Sequence, residues 1–370
     1  MLFWTICLFA AWFLLAFNYL GYAIIALIIN KIYPLRESGA SLPDAPLPHL
    51  TFIVAAYNEV ECIRAKIENC LAQDYPPELV EWLFVTDGST DSTPYVIREY
   101  PSVRLLHRPV RAGKSAALNR AVAEASHDII IASDANTLLN KDAIRQIAAH
   151  YASPTTGGVA GEKRVLGSQE GIYWKYESRL KSIDSSFYSV VGAAGELFSF
   201  RRSLYEPVGD EIVLDDFVIS MRIAAKGYRI IYEPGACAEE KPSASLEDER
   251  KRKIRIAAGG FQAVSLIGLT PGNARLNYLY ISHRVFRWWV SPFCLPLSAV
   301  AGTILALRAP SQIYLWLWWC QVAFYVLGLV PGKLGKVLHY FIFMNLSVLQ
   351  GFVRWLRGRQ PAAWEKARRS

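Results

Sequence analysis

Two long apolar regions set the first limit on how this chain folds. Residues 2–30 carry no charged side chain, and the first charge is Lys31. About 20 apolar residues are enough to cross a bilayer as a helix. Because the region lacks a basic start and a small-residue cleavage site, we expect a retained transmembrane helix over residues 1–30 rather than a signal peptide. Lys31 and Arg36 place its C-terminal end on the cytoplasmic side.

The second apolar region covers residues 285–353. Residues 285–307 and 313–330 are each long enough to span a bilayer, whereas 337–353 is shorter and contains polar amides. The tail, residues 354–370, is strongly basic and is therefore expected inside the cell. That orientation favours two spans followed by a re-entrant or interfacial helix, with three full spans as the alternative.

Between these regions the composition is that of a soluble domain. We expect a proline-containing linker over residues 31–49, one catalytic domain over 50–255 and interfacial helices over 256–284. The formal net charge of +8 suits an anionic membrane face rather than nucleic acid, given the apolar regions. The six cysteines form no CxxC pair, which indicates neither a zinc site nor a disulfide framework. A multi-pass protein of the inner (cell) membrane with a cytoplasmic catalytic domain is predicted.

Four apolar runs in the soluble part are predicted strands. They cover residues 50–55, 82–86, 103–107 and 129–133. Each is rich in β-branched or aromatic residues, and helical patterns of about ten residues separate them. This alternation predicts a Rossmann-like α/β fold with a parallel sheet and helices on both faces.

Acidic residues follow three of these strands. The carboxyl ends of parallel strands meet at one edge of a sheet, so we expect Ala56, Glu59, Asp87 and Asp134 to lie together there. Carboxylates placed this close repel one another unless a ligand compensates their charge. A Mg²⁺–phosphate complex or the donors of a nucleoside would do so. On the stretch around Asp134 alone, an Asx turn that caps the next helix is an equally good interpretation.

Several nucleotide-binding and catalytic motifs are missing. Gly113-Lys114-Ser115 matches the end of a P-loop, but the glycine required five residues earlier is Arg108. No GxGxxG follows the first strand, and neither GxSxG nor HExxH occurs. The sequence therefore disfavours NAD binding, P-loop chemistry, α/β-hydrolase chemistry and zinc proteolysis.

Four ordered motifs resemble those of family 2 glycosyltransferases. They occupy residues 54–59 (VAAYNE), 85–91 (VTDGSTD), 111–119 (RAGKSAALN) and 133–136 (SDAN). The likeness is greatest to the membrane-embedded branch that includes cellulose, hyaluronan and poly-N-acetylglucosamine synthases, and it extends over most of the chain. It implies an α/β GT-A fold: a Rossmann-like mixed sheet with helices on both faces, plus N-terminal and C-terminal transmembrane helices.

The resemblance implies a UDP-sugar donor site with a divalent cation. The positions matching nucleotide-binding residues are Ala56, Tyr57, Glu59, Asp87 and Lys114. Asp134 matches the first aspartate of the family's metal motif, and Asn136 stands where the second would be. Mg²⁺ or Mn²⁺ held there would bridge the diphosphate and stabilise the departing UDP. The alternative for Lys114 is a solvated lysine at the start of a helix.

The resemblance also implies a general base. Asp216, preceded by Asp215, falls where the family carries an acidic pair, and it would take the proton of the acceptor hydroxyl in an inverting displacement. The alternative is that both acids simply favour the start of a helix. Gly195 and Glu196 lie in a segment that resembles the acceptor-binding region.

A cluster of basic residues falls where processive relatives carry Gln-x-x-Arg-Trp. Arg252 and Arg255 match the Gln and Arg positions and share one helix face, so they would hold the diphosphate. Contact with anionic lipid is the alternative. Ile256 replaces the tryptophan, which favours transfer of one or a few sugars over long-chain polymerisation.

The predicted function is inverting, metal-dependent transfer of a hexose or N-acetylhexosamine from a UDP-sugar to a membrane-delivered acceptor. The acceptor is a lipid or a glycan, in polysaccharide or glycolipid synthesis, with a partner subunit or homo-oligomer as further expectations. One alternative is a sugar-phosphate nucleotidyltransferase, which the membrane helices and the AAYNE motif disfavour. Another is a non-catalytic, nucleotide-responsive membrane scaffold or export partner.

Overall fold

The computed structural model describes residues 1–35, 46–165, 171–242, 245–309 and 311–358. Part of the predicted linker over residues 31–49 and most of the predicted basic tail over 354–370 lie outside these described residues.

An eight-stranded mixed sheet forms the centre of the soluble domain. Its strands are β1 (Leu50–Ala56), β2 (Val80–Asp87), β3 (Val103–Arg108), β4 (Ile129–Asp134), β5 (Thr137–Leu139), β6 (Thr156–Val165), β7 (Leu197–Arg201) and β8 (Arg229–Glu240). Their spatial order is β3-β2-β1-β4-β7-β6-β8-β5. Strands β1 to β4 pair in parallel, whereas β7 runs antiparallel to β4 and β6, and β5 runs antiparallel to β8. The mixed sheet that the resemblance implied is confirmed. Strand–helix alternation predicted only β1 to β4, and the other four strands, β5 to β8, were not predicted.

Thirteen α-helices occur in the described part of the chain. They are α1 (Leu2–Ala16), α2 (Tyr22–Ile32), α3 (Ile63–Leu71), α4 (Thr93–Arg98), α5 (Lys114–Glu124), α6 (Ala143–Ala149), α7 (Gly171–Phe187), α8 (Asp215–Ala225), α9 (Leu246–Leu266), α10 (Ala274–Leu279), α11 (Ser291–Arg308), α12 (Gln312–Leu327) and α13 (Lys333–Leu356). Helices cover both faces of the sheet, so each face has its own hydrophobic core. On adjacent positions of β1, Ile53 belongs to one core and Phe52 to the other, as the two-residue period of a strand requires.

Three helices are long and apolar enough to cross a membrane. A π-helical segment joins α1 to α2 in one helix, Leu2–Ile32, and another joins α10 to α11 in Ala274–Arg308. The third is Leu334–Leu356. Helix α12 has 16 residues, about 24 Å at 1.5 Å per residue, which is shorter than the hydrocarbon core. The helix at Ala274 begins before the apolar stretch predicted from residue 285, since its first turns pack on α7, where Arg275 Nη1 donates to Phe187 O at 3.0 Å.

Polar contacts fasten the soluble domain to these helices. On α7, Glu177 pairs with Arg287 at 2.7 Å and Asp184 pairs with His283 at 2.6 Å. Both partners lie on the π-helical segment Tyr280–Val290. Because these side chains are buried, the contacts fix how α7 and the sheet behind it meet the helix Ala274–Arg308.

Candidate active site

Asp87 stands at the carboxyl end of β2, beside Ala56 at the end of β1. Its Oδ2 accepts hydrogen bonds from the backbone N–H groups of Ala112 and Gly113, each at 2.7 Å. Its Oδ1 is buried and has no hydrogen-bond partner among the described residues. Asp87 thus has one oxygen that orients the loop before α5 and one that is available to donors of a ligand. Such a ligand would remove the cost of a buried carboxylate oxygen without a partner.

The loops after β1, β2 and β3 are tied together around this point. Asn58 has a left-handed backbone (φ 53°), and its Oδ1 accepts from the Thr90 N–H at 2.8 Å. The Arg111 guanidinium lies 3.7 Å from the ring centroid of Tyr57, a cation–π contact between the first and third loops. Glu59 follows in the same loop as Tyr57 and is half-buried. The structure therefore brings the predicted nucleotide-binding positions to one edge of the sheet.

Lys114, Asp134 and Asp216 converge next to this edge. Lys114 Nζ lies 2.8 Å from Asp134 Oδ1. A Cβ placed on Gly195 would lie 3.0 Å from Lys114 Nζ and 3.2 Å from Asp216 Oδ2, so a larger residue here would press on both groups. Desolvation opposes the charge on Lys114, but three neighbouring carboxylates raise its pKa above the usual value. A cavity of about 30 Å³ lies among these residues and Asp215.

Asp216 has the environment of a general base. Burial, together with the neighbouring Asp215, raises the pKa of Asp216 to about 7, although Lys114 acts in the opposite direction. Its Oδ1 accepts from the Phe217 N–H at 2.8 Å. Asp215 is also buried, and its Oδ2 has no hydrogen-bond partner among the described residues. Both acids lie at the start of α8, so the helix-start interpretation and a catalytic role describe the same positions.

A chain of buried ion pairs lies beside the predicted acceptor segment. Glu196 pairs with Lys163, which also pairs with Glu240. Glu240 lies 3.9 Å from Arg252, and Arg252 makes two bonds to Glu249, at 3.0 and 2.9 Å. The Arg252 guanidinium is thus held by acids of α9 and β8, and its predicted contact with a diphosphate would compete with them.

Arg255 and Arg252 are influenced by different acids. Burial and the neighbouring Arg252 lower the pKa of Arg255, while Asp134 and Asp215 act to raise it. The acids that act on the pKa of Arg252 are Glu249, Glu240 and Glu196.

Asn136 follows Asp134 in the tight turn between β4 and β5. Among the residues with described positions, no group of three His, Cys, Asp or Glu side chains could hold a metal ion. A divalent cation that bridges a diphosphate needs only one or two protein oxygens. The Asp134 carboxylate is 29% exposed and offers one such oxygen ligand, so the residues present fit this type of cation.

Lys66 holds the turn that carries Asp134, and the sequence analysis did not identify it. It is fully buried on α3, and its Nζ donates to Ser133 Oγ at 2.7 Å and to Thr137 O at 3.0 Å. These two residues flank the turn that presents Asp134. Its spacing in the sequence could have identified Lys66, because helical periodicity puts it on the same buried face of α3 as Ile63 and Cys70.

A large cavity of about 1370 Å³ opens from the site. Asp216 and Glu196 line it, together with residues of α13. Arg252 and Ile256 of α9 also face it. Asp216 therefore faces a space that extends to one of the candidate membrane-spanning helices.

Comparisons with known proteins agree with this geometry. Residues 51–209 match the model of glycosyl transferase family 2. The chain is 30% identical over 262 residues to poly-beta-1,6-N-acetyl-D-glucosamine synthase of Staphylococcus aureus, covering 64% of this chain and 62% of that protein. It is 28% identical over 246 residues to beta-monoglucosyldiacylglycerol synthase of Synechocystis sp., covering 62% of this chain and 51% of that one. The chain thus spans less than two thirds of the length of either relative.

A solved structure shows the same architecture. A mannosyltransferase from Pyrobaculum calidifontis, in complex with GDP-Man and Mn²⁺, superposes with a TM-score of 0.77 at 24% identity, covering 94% of this chain and 98% of that one. At this identity the likeness shows the fold. Together with the matched family model, it agrees with what the four motifs indicated: residues 51–209 form a glycosyltransferase family 2 domain, and the fold is of the GT-A type.

Proposed function

We propose that this protein is an inverting glycosyltransferase that moves a sugar from a UDP-sugar to an acceptor delivered at the membrane. The observation that carries this proposal is the convergence of Lys114, Asp134 and Asp216 around one small cavity. Of these, Asp216 also lines the large cavity that reaches α13. Asp216, with a pKa of about 7, can act as the base that takes the proton of an attacking hydroxyl. Asp134 offers a carboxylate suited to a cation that stabilises the leaving group.

The nucleoside would bind where Asp87 offers its unpartnered Oδ1. Uracil N3–H and the ribose hydroxyls are donors that this oxygen can accept. Tyr57 and Glu59, on the adjoining loop, would complete the nucleoside pocket. Lys114 would lie near the phosphates, since its ammonium group already lies beside Asp134. Arg255 would contribute a second positive charge to the diphosphate.

Mg²⁺ or Mn²⁺ would be held by Asp134, with Asn136 as a second, uncharged oxygen ligand. The cation would neutralise the charge that develops on the departing nucleoside diphosphate. Asp216 would accept the proton of the acceptor hydroxyl while that oxygen attacks the anomeric carbon opposite the leaving group. One displacement with one base inverts the anomeric centre. Gly195 keeps the approach to Asp216 open, because any larger residue would contact the Asp216 carboxylate.

We place the catalytic domain on the cytoplasmic side of the cell membrane. Lys31, at the end of α2, and Arg354 and Arg357, at the end of α13, lie at the ends of candidate spans. Basic residues that flank spans remain inside. A UDP-sugar made in the cytoplasm would then reach the site directly.

The direct test is UDP release by the detergent-purified protein against a panel of UDP-sugars and GDP-mannose. Each is assayed with Mg²⁺, with Mn²⁺ and with EDTA. We expect metal-dependent release with one UDP-sugar. Preference for GDP-mannose would overturn the assignment of uracil as the nucleobase of the donor. Binding of UDP without turnover in any membrane extract would favour the scaffold alternative.

Asp87→Asn should weaken UDP binding at least about tenfold, because the amide can still accept from the loop N–H groups but turns an NH₂ donor toward the donors of the nucleoside. Isothermal titration of UDP measures the effect. Asp74→Asn, in an exposed ion pair with Arg145, is the matched control and should leave the affinity unchanged. Equal UDP affinity of Asp87→Asn and the wild type would remove Asp87 from the donor site.

A further inference from the structure

The large cavity beside Asp216 has both polar and apolar walls. Its lining includes charged groups such as Glu196, and α13 contributes apolar side chains such as Val337, Met344 and Val348 beside polar ones such as Asn345. Its volume of about 1370 Å³ exceeds the roughly 300–1,000 Å³ of pockets that enclose drug-sized ligands. The cavity therefore has room for a polar headgroup and for part of an apolar chain.

Lys181 is an unusual cation in the wall of this cavity. The residue is 6% exposed, and burial lowers the pKa of its ammonium group. The nearest carboxylate is Glu162, at 3.9 Å. Within the described parts of the chain, Lys181 Nζ makes no hydrogen bond, although an ammonium group has three donors. A desolvated lysine with unused donors is costly unless a ligand accepts from it.

Arg284 adds a second cation to the same wall. Its Nε donates to Val191 O at 2.7 Å, and no carboxylate of the described residues lies within ion-pair distance of its guanidinium. Arg284 lines the same cavity as Lys181, and its positive charge acts against the charged form of Lys181. Lys163, another cation that lines the cavity, differs from these two because it forms ion pairs with both Glu196 and Glu240.

Two adjacent cations with spare donors fit a group that carries negative charge and several acceptor oxygens. A phosphodiester has both properties, whereas a neutral glycan or a diacylglycerol has no anionic group. The apolar surface of α13 fits the chains that such a headgroup would carry in a lipid. Asp216, which lines the same cavity, supplies the base for a hydroxyl.

Resting on the proposed function, we propose that the acceptor is a hydroxyl-bearing anionic phospholipid, with Lys181 and Arg284 binding its phosphodiester. The headgroup hydroxyl reaches Asp216 and loses its proton to that carboxylate. Its oxygen forms the new bond to the anomeric carbon as the bond from that carbon to the nucleoside diphosphate breaks. The phosphodiester itself is unchanged by the reaction.

The experiment uses the full-length protein in phosphatidylcholine vesicles that contain either phosphatidylglycerol or diacylglycerol. Both lipids carry a hydroxyl, but only the first carries a phosphodiester. We expect transfer to phosphatidylglycerol to be at least about tenfold faster, the size of one charge-assisted hydrogen bond. Lys181→Gln should raise the KM for phosphatidylglycerol by about tenfold and leave UDP binding unchanged, and Lys181→Arg should retain most activity. Lys251→Gln, whose side chain is 69% exposed on α9, is the control and should behave as the wild type.

The outcomes separate this inference from the function on which it rests. A wild-type protein that binds no UDP-sugar would overturn the proposed function itself. Donor binding with equal transfer to both lipids, or with transfer to neither, would overturn only the phospholipid acceptor. Weaker UDP binding in Lys181→Gln would assign the two cations to the donor. Stimulation of diacylglycerol glycosylation by inorganic phosphate would assign them to a free anion, and both results contradict the proposal.

Discussion

Asp216→Asn is expected to lower the rate of sugar transfer by about 10²–10⁴-fold, the contribution of a positioned general base. Asparagine has nearly the same shape and can still accept from the Phe217 N–H through its carbonyl oxygen. Folding and UDP binding should therefore persist while proton removal is lost. Thermal unfolding, UDP titration and initial rates on the same preparation measure the three properties separately.

The pH dependence of the transfer rate distinguishes a catalytic role of Asp216 from a purely structural one. The carboxylate works as a base only when deprotonated, and its pKa is raised to about 7. The rate should therefore rise about tenfold per pH unit below 7 and level off above it. Asp215→Asn removes a charge that raises the pKa of Asp216, so its profile should shift to lower pH. A profile that is flat from pH 5 to 8 in the wild type, or full activity in Asp216→Asn, would remove Asp216 from the role of base.

Much of the fold was readable because local patterns determine it. All four predicted strands are present, and each end lies within two residues of its predicted position. The residues that follow them had to meet at one edge, since parallel strands end together. Asp87 and Asp134 are therefore placed by topology alone. Strands β5 to β8 were not predicted. In β6, for example, three glycines weaken the strand pattern.

The sequence did not predict which buried charged side chains pair with one another. Spacing placed Arg252 and Arg255 on one helix face, but it did not reveal that Arg252 pairs with Glu249 and Glu240. Such pairings depend on residues distant along the chain. Lys163 illustrates this, because it connects Glu196 and Glu240 from a strand that carried no motif.

The same limit explains why the proposed acceptor side was less predictable than the proposed donor side. The residues proposed to bind the donor follow strands within one half of the sheet, so short motifs describe them. The large cavity is lined by residues of α7, α9, α13 and the helix Ala274–Arg308, among others, and these helices are far apart in sequence. Lys181 and Arg284 line the same cavity because that helix packs on α7, where Glu177 pairs with Arg287.

Asp134→Asn is expected to reduce metal-dependent transfer by at least about 10²-fold, because it removes the charged oxygen ligand proposed for the cation. Lys114 would also lose its 2.8 Å partner, leaving its charge compensated by the acids of α8 alone. Initial rates across a Mn²⁺ titration measure the first effect. Electron paramagnetic resonance of Mn²⁺ in the presence of UDP reports metal binding without turnover, and it should show weaker binding in the variant.

Asn136→Asp provides the matched comparison, since it restores a second carboxylate two residues away without disturbing Asp134. With two charged oxygens facing the cation, the protein should reach half-maximal rate at a lower Mn²⁺ concentration than the wild type. The two variants therefore shift metal affinity in opposite directions if the turn between β4 and β5 holds the cation. Lys66 orders this turn through Ser133 and Thr137, so its backbone should remain in place in both. An unchanged Mn²⁺ response in Asp134→Asn would locate the metal elsewhere and leave Asp134 as the counter-ion of Lys114.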